Sequence, residues 1–213
     1  MNIIFDFDGV IISSHKAKTE AFYEIFKSYG KNVANKAKKF HERNIGKSRS
    51  FKFKFILKKI LNKNITKSEL AKLDKNFDTF VQKKIKLMNP SKYLLKFLKG
   101  QKNNNNLYIS TGTPQNKIIQ ILKEKNLLSY FKKIYGSPSS KISHINEIKK
   151  SNKNILFIGD SLEDYNAAKK TNINFILKLN SENFLLRKKL NVRKIHSFKF
   201  LKKYADNLVS KYE

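Results

Sequence analysis

Three segments of this chain run apolar for a few residues and then break into carboxylates and hydroxyls. Asn2-Ile3-Ile4-Phe5 ends in Asp6-Phe7-Asp8-Gly9, Leu107-Tyr108-Ile109 ends in Ser110-Thr111-Gly112-Thr113, and Asn154-Ile155-Leu156-Phe157-Ile158 ends in Gly159-Asp160-Ser161. Unbroken apolar runs of this length suit strands buried on both faces, which is the condition of a parallel sheet. Further strands are predicted near 133–135 and over 173–177. Helical spacing lies between them, over 91–100, 114–125, 139–150 and 162–170, and a last helix is predicted over 197–211. Strands alternating with helices of this size imply right-handed βαβ units, so the expected fold class is α/β, a Rossmann-like parallel sheet with helices on both faces. In such sheets ligands bind beyond the carboxyl ends of the strands. The three polar strand ends are therefore a candidate site by position alone.

The alternation is interrupted early. After the first strand come Ala17, Ala21, Phe22, Ile25, Phe26 and Tyr29 at helical spacing, closed by Gly30 as a C-cap. Residues 33–87 then read as helices only, with Thr66 and Glu69 spaced as a capping box. A helical cap over 15–87 is thus expected, inserted after the first strand into a core made of 1–14 and 88–213. A chain of 213 residues suits one domain carrying an insertion.

Composition narrows the function classes. The net charge of +30 first suggests a nucleic-acid binder, yet 42 Lys stand against four Arg. Arg dominates base-edge and bidentate phosphate contacts. With Asn and Ile also abundant, the charge reads as compositional drift on a solvated surface, ahead of steering of anionic substrates or a nucleic-acid surface. No cysteine is present, which excludes disulfides and thiolate metal sites. No apolar run reaches the roughly 20 residues of a membrane span, and the N-terminus does not read as a signal peptide. The expected location is the cytoplasm. Asp6, Asp8, Asp160 and Asp164 make a hard-oxygen cluster of the kind that suits Mg²⁺.

The order Asp6-Phe7-Asp8-Gly9-Val10, then Thr111-Gly112, then Lys141, then Gly159-Asp160-Ser161-Leu162-Glu163-Asp164 resembles the haloacid dehalogenase (HAD) superfamily. It is similar to the capped phosphatase branch that includes β-phosphoglucomutase and phosphoglycolate phosphatase. The resemblance implies that Asp6 is the nucleophile and forms an aspartyl phosphate. Asp8 would be general acid and then base. Its presence separates phosphoryl chemistry from dehalogenation. Thr111 and the Gly112 N–H would hold the phosphoryl group, with Ser110 the alternative hydroxyl. Lys141 would neutralise Asp6 and the phosphoryl oxygens. Mg²⁺ would be held by Asp6, Asp160 and the Asp8 carbonyl, with Asp164 holding a metal-bound water or orienting Lys141. In the cap, Gly46-Lys47-Ser48-Arg49 resembles a substrate loop, with Arg49 on the part of the substrate that is not transferred. His41-Glu42-Arg43-Asn44 is a second candidate for the cleft.

Two departures from the family pattern are Ser13-Ser14, where relatives carry Asp-Ser, and Thr171-Asn172, where Ala-Gly is common. Asn tolerates positive φ, so that turn is expected to survive. His15, His41, His144 and His196 show no metal spacing and read as surface residues. The reading is a Mg²⁺-dependent phosphatase of a small phosphorylated metabolite, a sugar phosphate or similar phosphomonoester. A phosphomutase, a phosphoglycolate phosphatase and a basic nucleic-acid-binding module are the alternatives.

Overall fold

The structure, a computed structural model, describes residues 1–44 and 47–201. Contacts divide the chain into two compact units, Met1–Ser13 with the chain from Pro90 onward, and Ser14–Asn89.

The first unit is built on a parallel sheet. Its strands are β1 (Asn2–Phe5), β2 (Asn106–Pro114), β3 (Lys133–Ser137), β4 (Ile155–Gly159), β5 (Asn174–Lys178) and β6 (Arg193–Ile195), in the order β3-β2-β1-β4-β5-β6. Neighbouring strands pair in parallel throughout. β1 lies inside the sheet and all four of its residues are buried, as its unbroken apolar run requires. Successive strand residues point to opposite faces. Ile4 accordingly packs with Ile145, Ile148, Ala167 and Ala168 on one side. Phe5 meets Phe97, Phe131 and Phe198 on the other, with ring centroids 6.2, 6.1 and 6.2 Å away. Helices cover both faces for this reason.

The second unit is helical: α1 (His15–Phe26), α2 (Lys31–Arg43), α3 (Arg49–Phe55) and α4 (Lys67–Lys86). Its core is aromatic, with Phe22 5.4 Å from both Phe53 and Phe77 between centroids. α1 ends at Phe26, and a 3₁₀ turn, Lys27–Tyr29, carries the chain to Gly30 at φ 101°. Ile56–Ile60 forms a π-helical turn where regular helix was expected. Only half of the predicted capping box forms. Thr66 accepts the Glu69 N–H, while the Glu69 carboxylate takes the Tyr29 hydroxyl at 3.0 Å.

Back in the first unit, α5 (Lys92–Gln101) precedes β2, and α6 (Gln115–Glu124), α7 (Lys141–Lys149) and α8 (Leu162–Lys170) alternate with the strands. Asn172 ends α8 in the left-handed region at φ 49°, so the turn survives the absence of glycine. The short helix α9 (Phe184–Lys189) and strand β6 were not predicted. Arg193-Lys194-Ile195 buries only Ile195, so it carries no apolar run to read. Of the helix expected over 197–211, Phe198–Phe200 is a 3₁₀ turn, and residues 202–211 lie outside the described residues.

The surface assignment of the histidines is corrected at two positions. His41 is 5% exposed and stacks on Phe22 at 4.4 Å. It shares the buried stripe of α2 with Ala34 and Ala37, at helical spacing. His144 is 3% exposed on the inner face of α7.

Phe5→Ala should cost about 3–5 kcal/mol of unfolding free energy, because it empties a packed aromatic site. Leu87, 81% exposed, should change stability by less than about 0.5 kcal/mol when cut to alanine. Urea unfolding midpoints of the two variants check this contrast.

Candidate active site

Strand register gathers the polar residues. Phe5 is level with Ile109 of β2 and with Ile158 of β4. One step further along, the three strands reach Asp6, Ser110 and Gly159; a second step brings Thr111 and Asp160. After Asp8 the chain turns sharply, with Gly9 at φ 78° and its N–H donating to the Ile12 carbonyl at 2.7 Å. That φ is one that side chains rarely adopt, so glycine is needed there.

Lys141 lies at the centre of the site. Its helix is capped by Ser140, whose side chain accepts the Ser143 N–H. The ammonium is 7% exposed and donates to Asp164 Oδ1 at 2.5 Å, with Asp6 Oδ2 at 3.1 Å. Asp6 Oδ1 accepts the Phe7 N–H at 2.7 Å. Asp164 is fully buried and shares a capping box with Ser161. Its Oδ2 accepts the Ser161 hydroxyl at 2.5 Å and the Ser161 N–H at 3.0 Å, and Ser161 Oγ accepts the Asp164 N–H. Gly159 makes this approach possible, since a Cβ there would overlap the Asp164 side chain.

Charge is concentrated in little space. Ligand oxygens of Asp6, Asp160 and Asp164 lie within 4.8 Å of one another, all buried. Burial, then the Asp164 carboxylate, pushes the Asp6 carboxyl well above the usual carboxylate range, although Lys141 pulls the other way. Burial would lower Lys141, but Asp164 and Asp6 outweigh it and hold the ammonium above its ordinary range. The carboxylates outnumber the ammonium they share, and the imbalance favours a further cation.

Around this centre, Asp8 is 9% exposed and its Oδ2 accepts the Thr113 hydroxyl at 3.1 Å. Thr111 is buried and its hydroxyl accepts the Thr113 N–H at 3.1 Å. Gly112 is exposed, with open space where a side chain would stand. Ser110 is fully buried and its hydroxyl pairs with His144 Nδ1 at 2.9 Å. Burial, with the nearby Lys141 charge, lowers His144 to about 4, so it is neutral at pH 7. Asp160 is held by two amides from the loop after β5: Asn180 Nδ2 donates to its Oδ2 at 2.6 Å, and Asn183 Nδ2 to its carbonyl at 2.8 Å.

Sequence reasoning missed Thr113, His144, Asn180 and Asn183. His144 was readable as one helical turn past Lys141. The two asparagines follow a predicted strand end, but asparagine is so common in this chain that they did not stand out.

Arg49 belongs to the second unit. Its Nε lies 2.8 Å from Asp74 Oδ1 and its Nη1 2.5 Å from Asp78 Oδ1, and the guanidinium sits 4.9 Å from the Phe77 centroid. It ties α3 to α4. Gly46 lies outside the described residues.

The sequence matches the haloacid dehalogenase-like hydrolases over residues 3–178. Solved structures share the fold at low identity. The chain is similar to a β-phosphoglucomutase from Clostridium difficile, with a TM-score of 0.77, 20% identity, and coverage of 99% of this chain and 97% of that one. It is also similar to a predicted phosphoglycolate phosphatase from Haemophilus somnus 129PT, with a TM-score of 0.73, 18% identity, and coverage of 95% and 96%. A haloacid dehalogenase-like hydrolase from Streptococcus pneumoniae gives 0.65 at 18% identity, covering 95% and 97%. No curated protein matches the sequence.

Arg49→Ala should lower stability by about 1 kcal/mol, because it removes two partly exposed ion pairs and a cation–π contact. If Arg49 also meets substrate, the variant loses more activity on the true substrate than on a small aryl phosphate. Equal losses on both would mean that Arg49 supports folding or core chemistry instead. Thermal melting and paired kcat/KM measurements separate the two outcomes.

Proposed function

The chain belongs to the haloacid dehalogenase-like hydrolases, and we propose that it is a Mg²⁺-dependent phosphatase of a small phosphorylated metabolite, a sugar phosphate or similar phosphomonoester. The observation that carries the reading is Lys141 bridging Asp6 and Asp164 beside Asp160. An acidic nucleophile, a fixed buried cation and a hard-oxygen cluster suit displacement at phosphorus. Asp6, Asp160 and Asp164 offer only carboxylate oxygen, which fits Mg²⁺ better than a metal that prefers nitrogen or sulfur. When bound, the ion offsets the charge of a phosphate dianion approaching an anionic carboxylate.

The chain's own groups divide the rest of the chemistry. Asp6 Oδ attacks phosphorus, forming an aspartyl phosphate as the bond to the leaving oxygen breaks. Asp8 protonates that oxygen, and the Thr113 hydroxyl on Asp8 Oδ2 fixes which way the carboxyl points. Asp8 then takes a proton from water, which attacks the same phosphorus and returns Asp6 as carboxylate with inorganic phosphate released. Lys141 pulls the Asp6 carboxyl toward its ionised form, against burial and the neighbouring carboxylates. Thr111 and the Gly112 N–H are assigned to the phosphoryl oxygens.

Hydrolysis of an aryl phosphate should require Mg²⁺ and stop in excess chelator; undiminished turnover would overturn the metal assignment. Phosphate release from a panel of phosphorylated metabolites identifies the substrate, and isomerised product in place of free phosphate would indicate a mutase.

Asp6→Asn should abolish turnover and leave no aspartyl phosphate to trap. Asp8→Asn should lose about 10²–10⁴-fold in turnover. With an aryl phosphate, whose leaving group needs little acid help, it should give a burst of about one phenolate per enzyme before stalling. Acid quench and mass spectrometry should then find the phosphate on the peptide containing Asp6. A label on another residue would refute the mechanism.

A further inference from the structure

The loop that follows β5 holds Asp160 at two points. Asn180 Nδ2 donates to the carboxylate at Oδ2, 2.6 Å away, and Asn183 Nδ2 donates to the Asp160 carbonyl at 2.8 Å. Asn183 is 7% exposed and also binds the Lys178 carbonyl at 2.8 Å, which fixes the loop to the end of β5. The two asparagines lock each other as well. Asn180 Oδ1 accepts the N–H groups of Glu182 and Asn183 at 2.9 and 3.0 Å, and Asn183 Oδ1 accepts the Asn180 N–H at 3.0 Å. A closed ring of hydrogen bonds therefore holds the amide that faces Asp160.

The type of residue matters as much as its place. In a chain with 42 Lys, the group 2.6 Å from this carboxylate is a neutral amide. An ammonium there would orient Asp160 but also cancel its charge and compete with a divalent ion. Lys178, at the end of β5, directs its Nζ to the Leu179 carbonyl at 2.9 Å and feels the Asp160 carboxylate electrostatically, without being the group hydrogen-bonded to Oδ2. An amide donor orients a carboxylate and leaves its charge available.

We propose that Asn180 and Asn183 form a neutral clamp that aims Asp160 at the divalent cation, making Asn180 a positioning residue for metal binding. The inference rests on the reading of Asp6, Asp160 and the Asp8 carbonyl as the Mg²⁺ site, with Asp164 beside them.

The test is direct titration of the 213-residue chain, stripped of metal, with Mn²⁺, following the spin-resonance signal of the free ion. Asn180→Ala should bind Mn²⁺ about 10–100-fold more weakly, with only a small fall in its melting temperature in excess chelator, from the loop N–H groups that lose their acceptor. Saturating Mg²⁺ should restore its kcat. Asn180→Ser is the second variant. Its hydroxyl can still accept the loop N–H groups but is too short to reach Asp160, and it should also bind Mn²⁺ at least about tenfold more weakly. Unchanged or tighter binding in either folded variant overturns the clamp. So does a matching fall in metal-free melting in both variants, because the asparagines would then serve only the fold. Asp160→Asn separates this inference from the reading beneath it. If that variant binds Mn²⁺ normally, the carboxylate site itself is wrong. If it loses binding while Asn180→Ala does not, only the clamp fails.

Discussion

Two carboxylates share the buried ammonium of Lys141, and the chain around them is arranged to permit it. Removing charged groups from water costs several kcal/mol per ion unless geometry and hydrogen bonds compensate. Compensation here comes from each side. Ser140 starts the helix at Lys141, Gly159 leaves room for Asp164, and Ser161 occupies the oxygen of Asp164 that Lys141 does not use. These residues come from separate segments, brought level by strand register. The sheet thus does more than bury apolar surface: it sets the distances at which like charges can be tolerated.

Much of this was legible because it followed from local rules. The apolar runs identified the strands, and their polar ends marked the site. The helix over 162–170 was read at its observed bounds. Asn172 held its turn by the property that made it readable, its tolerance of positive φ. What escaped depends on partners distant in sequence. Nothing in Arg49's own neighbourhood shows that Asp74 and Asp78, a helix away, will take its guanidinium. His41 and His144 looked like surface residues because histidine is neutral in any hydrophobic count. Their burial is set by the faces of α2 and α7, with Ala34 and Ala37 in one case and Lys141, Ile145 and Ile148 in the other. β6 escaped because an edge strand needs little apolar surface of its own.

Lysine is the default cation of this chain, so the places where the default is not used are informative. Arg49 is a planar fork reaching two carboxylates over a phenylalanine ring, a geometry an ammonium cannot reproduce. Asn180 is neutral where a lysine would have been close at hand. Lys141 is the reverse case, a common residue given an uncommon environment by the carboxylates beside it.

The carboxylates of the site are themselves withdrawn from solvent. Asp6, Asp8, Asp160 and Asp164 are 5%, 9%, 2% and 0% exposed, and they are four of the chain's 16 acidic residues. The outer surface is therefore more positive than the sequence total implies. At long range an anion would feel the positive total first and the buried carboxylates only at contact. Such a field extends about 8 Å at physiological ionic strength and shrinks as salt is added. The field an anion meets at this protein's surface is thus a property of its medium as well as of its sequence.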